Sequence, residues 1–129
     1  MYFNKMNTKR IFIILLSFTF SFIYAEGNVS YTLHKASNPT EDQLDAYARI
    51  EAAMDSAVFM YNKYTSLSKK ITVYYDTEVP TAQANFDGVI SFGSSRSYMV
   101  VITAMHEMGH VFGVGTTSEY KNLMVGGVF

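Results

Sequence analysis

The sequence predicts a small α+β domain, with a small mixed sheet, a long backing helix and a second, shorter helix. Three observations predict it. Short stretches alternate apolar and polar residues. Two longer stretches repeat apolar residues every three or four positions. The two kinds are interleaved along a chain of only 129 residues. Taken in order, Val29-Ser30-Tyr31-Thr32-Leu33-His34 puts Val29, Tyr31 and Leu33 on one face, the pattern of a half-buried strand. Lys35 to Pro39 is a turn. Thr40 followed by Gln43 is a capping box, and Glu41 and Asp42 favour a helix N-terminus. The helix runs to about Ser66 on a stripe of Leu44, Tyr47, Ile50, Met54, Ala57, Val58, Tyr61 and Tyr64. Ile71 to Tyr75 is a second strand. Thr77 to Gly88 is loop and turn, and Val89 to Phe92 is a third strand closed by Gly93. Ser94 to Ser97 can cap a second helix, from about Tyr98 to Phe112, which Gly113 and Gly115 stop. The tail, Thr116 to Phe129, has no clear period.

The composition removes whole classes of function. The absence of cysteine excludes a disulfide framework, a thiolate zinc site and a cysteine nucleophile. Residues 1–25 hold Lys5, Lys9 and Arg10 and no acid. The remainder is acidic on balance, which excludes a strongly basic nucleic-acid binder. Those three basic residues precede the mostly apolar run Ile11 to Tyr24, and Ala25 offers a small residue for cleavage. This is the three-part layout of a secretory signal. The run is shorter than the roughly 20 apolar residues of a spanning helix. Residues 1–25 are therefore read as a signal peptide and 26–129 as the mature domain. The location is secreted or periplasmic, with no stable membrane span after cleavage.

One motif carries chemistry. His106-Glu107-Met108-Gly109-His110 is an H-E-x-x-H sequence inside the predicted second helix. At about 100° per residue, Glu107 and His110 lie about 100° and 40° round the helix from His106. All three share one arc, and the histidines sit one turn apart, so both imidazoles can reach one zinc ion. Val101, Ala104, Met105, Met108, Val111 and Phe112 form the opposite, apolar face. For Arg96, just before this helix, capping, pairing and ligand binding all stay open.

The stretch from His106 to Gly113 resembles the active-site helix of zinc-dependent metalloproteases of the zincin superfamily. The glycine three residues after the second histidine is similar to the metzincin pattern H-E-x-x-H-x-x-G-x-x-H. With Phe92-Gly93 and Ser97-Tyr98-Met99 before it and Gly115-Thr116-Thr117 after it, the chain resembles a group of secreted bacterial metalloprotease-like proteins. The resemblance implies a zincin-like N-terminal subdomain and Zn2+ held by His106 and His110, with Glu107 as general base. It also implies that Val89 to Phe92 is the edge strand along which a peptide or protein substrate lies extended. The chain departs from the pattern at position 116, where the third metzincin ligand belongs and Thr116 stands. Glu119 is the substitute within the chain, although the glutamate ligand of other zincins sits farther on. Met124 is similar to a methionine turn, but that turn follows the missing histidine, so Met124 is read as packing. His34 is read as an ordinary, partly exposed histidine. In the bacterial group the third histidine is expected beyond Phe129, so these residues are read as a C-terminally truncated copy.

The expected function is an exported zinc metalloendopeptidase, hydrolysing peptide bonds by a zinc-bound water with Glu107 as base. The alternatives are an inactive remnant of such a protease and an extracellular module that binds glycans or peptides through its tyrosines.

Overall fold

A computed structural model describes residues 26–123. The signal peptide reading and Met124 lie outside the described residues. The elements are β1 (Asn28–Leu33), α1 (Glu41–Tyr64), β2 (Ser68–Tyr75), β3 (Ala82–Ala84), β4 (Val89–Phe92), α2 (Val101–Val111) and α3 (Ser118–Asn122), with a single 3₁₀ turn at Arg96–Tyr98 before α2. This is a small mixed α+β fold, as the pattern of the sequence predicts.

The four strands form one sheet in the order β1-β2-β4-β3. β1 pairs parallel with β2, matching Tyr31 with Ile71 and Leu33 with Val73. β2 pairs parallel with β4, matching Val73 with Ile90. β3 returns antiparallel along β4, matching Gln83 with Ser91. Parallel neighbours need a crossover, and α1 supplies the first one. Alternation sends Val29, Ile71, Val73, Ile90 and Phe92 to one face, where they are buried against Ile50, Ala53, Met54 and Ala57 of α1 and Ala104, Met108 and Val111 of α2. Ser30, Thr32, Lys70 and Tyr74 stay exposed on the other face.

α1 begins where the sequence places it. The Thr40 hydroxyl accepts from the Gln43 backbone N–H at 3.2 Å, and the Gln43 side chain accepts from the Thr40 N–H at 2.9 Å. Both halves of the capping box are made, so two otherwise orphaned donors are satisfied. The buried stripe is shorter than expected. Leu44 is 54 % exposed and Tyr64 is 66 % exposed. The helix has 24 residues, and its end turns overhang the surface it covers.

Four expectations are corrected. β2 starts at Ser68, so Lys69 and Lys70 belong to the strand. The segment after it is not all loop, because Ala82–Ala84 pairs as β3. β3 takes the sheet edge, which makes Val89–Phe92 an interior strand and not the edge strand. Finally, α2 starts at Val101 without a side-chain cap, and the Ser95 and Ser97 hydroxyls bond each other at 2.9 Å. The reason lies with Arg96. Its guanidinium reaches back to Asp45 at 2.7 Å and Asp42 at 2.6 Å near the start of α1. It also donates to the Tyr75 hydroxyl at 3.2 Å and to the Ser94 carbonyl at 3.0 Å. Of its three open roles, pairing is the one the fold uses, and the chain turns there before the helix can start.

Candidate metal centre

α2 presents its two histidines one turn apart on the side away from the core. The rings meet edge to face with centroids 4.7 Å apart, and their Nε2 atoms are 3.1 Å from each other. The tautomer of His110 follows from its other nitrogen. Nδ1 lies 2.7 Å from the Val114 carbonyl, which can only accept, so Nδ1 carries the proton. In a neutral imidazole that leaves Nε2 as the lone-pair nitrogen, which accepts from the His106 Nε2–H at 3.1 Å; a metal bound by both rings would replace that proton.

The turn after α2 makes this contact possible. Gly113 at φ 104° and Gly115 at φ 73° adopt conformations that side chains resist. They fold the chain so that the Val114 N–H reaches the Gly109 carbonyl at 3.0 Å while its own carbonyl meets His110. Lys69 closes the same helix end. Its ammonium donates to the Val111 carbonyl at 3.0 Å and to the Phe86 carbonyl, and sits 4.3 Å from the centre of the Phe86 ring. A cation there suits the negative end of the helix dipole.

Glu107 is 6 % exposed. Desolvation lifts its carboxyl above the usual carboxylate range, while the His106 and then the His110 charges pull the other way. It lines an open groove of about 550 Å³. One wall is α2, with Ile102, Thr103, His106 and His110, joined by Tyr98. The other is β3, from Ala82 to Ala84. So His106, Glu107 and His110 come together as their spacing predicts.

The remaining candidates do not join them. The Thr116 hydroxyl donates to the His110 carbonyl at 2.8 Å and so serves the helix end. The Glu119 carboxylate accepts from the Ser118 hydroxyl at 3.1 Å. His34 is exposed and stacks on Tyr74, 4.9 Å between centroids. Every histidine and acid of the chain falls within residues 26–123, and there is no cysteine. Among the described residues, no three such side chains form a group able to hold a metal ion.

The pair itself fits the expected metal. With zinc–nitrogen bonds of about 2.05 Å, nitrogens 3.1 Å apart subtend an angle of about 100° at the ion, close to tetrahedral. Among the described residues, the pair stands one donor short of the three protein ligands that catalytic zinc sites use.

The groove wall at β3 escaped the sequence reading. Three residues are too few to show a period, but Asp87-Gly88 before a strand is a hairpin signal that could have pointed to a partner strand upstream. Ile102 escaped as well, although it lies four residues before His106 and therefore on the same row of the helix. Among the described residues, no helix is long and apolar enough to cross a membrane. No known protein family, curated protein or solved structure matches this chain.

Proposed function

We propose that this chain carries a zinc-dependent peptide-hydrolysing centre of the zincin type, in an exported protein. His106 and His110 hold the ion and Glu107 is the general base. The observation that supports it best is the convergence of two imidazole Nε2 atoms beside a buried carboxylate in an open groove. The export part rests on the basic start, apolar run and small residue of positions 1–25.

Zinc bound there supplies a Lewis acid for a substrate carbonyl. The chain's own groups do the rest. Glu107 accepts a proton from the attacking water and returns it to the leaving amine, a task suited to a carboxyl whose burial raises its proton affinity. β3 is one of the two edge strands of the sheet among the described residues and forms one wall of the groove, so it takes the role first expected of Val89–Phe92. Its outward backbone groups pair with an extended peptide. Tyr98 and Ile102 give the opposite wall an apolar surface for a bulky substrate side chain.

The missing third donor favours a second reading, a non-catalytic zinc-binding relative of such proteases. The tyrosines give less support to a glycan-binding surface. Tyr47 is buried, and Tyr61 packs on Phe112 with its hydroxyl on the Met105 carbonyl at 3.1 Å. Glu107→Gln separates the two zinc readings. With a mixed peptide library and zinc present, the wild-type chain is expected to cleave, and the variant to keep zinc while losing at least about 100-fold in rate. Equal rates in two zinc-loaded proteins overturn the hydrolytic reading.

A further inference from the structure

The chain enters the fold beside the C-terminal end of α1 and is fixed there. The Gly27 N–H donates to the Asn62 carbonyl at 2.9 Å, and the Asn28 N–H to the Leu67 carbonyl at 2.8 Å. The Asn62 side chain pairs with both backbone groups of Val29, accepting from its N–H at 2.7 Å and donating to its carbonyl at 2.9 Å. The side chains at this end of α1 are exposed and largely apolar. Phe59 is 60 % exposed and Tyr64 66 %, with Met60 at 37 %. The Lys63 ammonium lies 5.4 Å from the centre of the Phe59 ring and 5.2 Å from that of Tyr64. Glu26, Phe59, Asn62 and Lys63 line one shallow groove, and Phe59 continues into a second with Met60 and Val101. Phe59, Met60 and Tyr64 belong neither to the core nor to the metal centre.

We propose that this face of α1, with Phe59, Met60 and Tyr64, lies on the surface of a lipid bilayer while residues 1–25 remain attached. The proposal rests on the reading of Ile11 to Tyr24 as a membrane-targeting run, and not on zinc or hydrolysis. Two features select a bilayer as the occupant. The first is the tether. Glu26 shares a groove with Phe59 and stands two residues after the run, a reach of about 7 Å, which is the depth of the headgroup layer. The second is the mixture of side chains. Aromatic rings with a lysine between them suit a membrane interface, where the rings enter and the ammonium reaches out to the headgroups. Charge does not supply the attraction, because Glu26 and Asp55 line the same two grooves and outnumber Lys63. The contact is therefore expected on neutral phosphatidylcholine.

The chain has no cysteine, so a single introduced one can carry a label. The test places an environment-sensitive fluorophore at Met60→Cys, or at Thr32→Cys on the exposed face of the sheet, in the full chain mixed with phosphatidylcholine vesicles. Flotation reports binding, and quenching by brominated lipid reports contact. The chain is expected to float. The Met60→Cys emission is expected to shift to the blue and to be quenched at least twofold, while the Thr32→Cys label keeps its emission in buffer. Adding Phe59→Ser and Tyr64→Ser to the Met60→Cys chain is expected to halve the quenching while flotation persists. Both side chains are exposed, so circular dichroism should match the wild type. Flotation with no shift at either label overturns the lipid-facing role of α1 but leaves the membrane-targeting run standing. An equal shift at both labels overturns the orientation, and the proposal with it. A Met60→Cys label already shielded in buffer assigns the face to the run itself or to a second copy, and overturns the bilayer. No flotation overturns both the face and the membrane-targeting run.

Discussion

The ring of His110 is oriented by its own helix end. Nδ1–H is fixed by the Val114 carbonyl at 2.7 Å, and that carbonyl is placed by a turn whose glycines stand at φ 104° and 73°. A third glycine, Gly109, sits between Glu107 and His110 but has no such duty. A Cβ there would find the Tyr61 hydroxyl and the Val114 Cβ at 3.9 Å, which is ordinary contact. At Gly113 a Cβ would come within 3.1 Å of the Thr117 methyl, on top of the unfavourable φ. The two glycines should therefore answer the same substitution with opposite signs. Gly109→Ala is expected to stabilise by about 0.5–1 kcal/mol, because alanine loses less backbone freedom in a helix. Gly113→Ala is expected to cost about 1–3 kcal/mol in strain. Urea unfolding of both variants at unchanged m checks this, and a stabilising Gly113→Ala would disprove the account of the turn.

Among the elements, α2 and α1 are tied at their starts by Arg96, which bonds Asp42, Asp45, Tyr75 and the Ser94 carbonyl at once. The hydrogen bonds from Arg96 and Arg49 hold the Asp45 carboxyl below its ordinary range. A carboxyl depressed in the folded state contributes stability that is present above its unfolded pKa. That stability is lost as pH falls through the lower folded value. Arg96→Met is therefore expected to lower Tm by on the order of 5 °C at pH 7, and the gap from wild type should narrow below about pH 4. A gap that stays constant down to pH 2 would mean that packing, and not charge, carries the effect. The same residue shows what the sequence could reveal. The α1 capping box was legible because all its partners lie within four residues. The histidine pair was legible for the same reason, since one helical turn sets its spacing. The true start of α2 was not, because the partners of Arg96 are 51 and 54 residues away. β3 was not, because three residues with no period become a strand only through β4. Nor was the Lys69 contact with the end of α2, which spans 42 residues.

For the whole molecule, the question is what zinc would do to a fold whose core does not include the histidine pair. The core of sheet, α1 and α2 is closed by side chains alone, and the histidine pair lies outside it. Zinc is therefore expected to stabilise a folded state and not to create one, unlike a zinc finger, which is unfolded without its metal. A ligand that binds only the native state stabilises by RT ln(1 + [L]/Kd), about 2.7 kcal/mol at a hundred times Kd. The Tm should then climb steadily as free zinc rises, and EDTA should return it to the starting value. The donors decide the specificity of the effect. His106→Ala and His110→Ala should each flatten the response while leaving the metal-free Tm near wild type, because neither ring is part of the core. Glu107→Gln should keep the response, because its carboxyl is not counted among the ligands. A zinc response that survives loss of both histidines would place the metal elsewhere on the chain. A chain that unfolds in EDTA would show that the metal supports the core, and the packing of Phe92, Met54 and Met108 would then be too weak to stand alone.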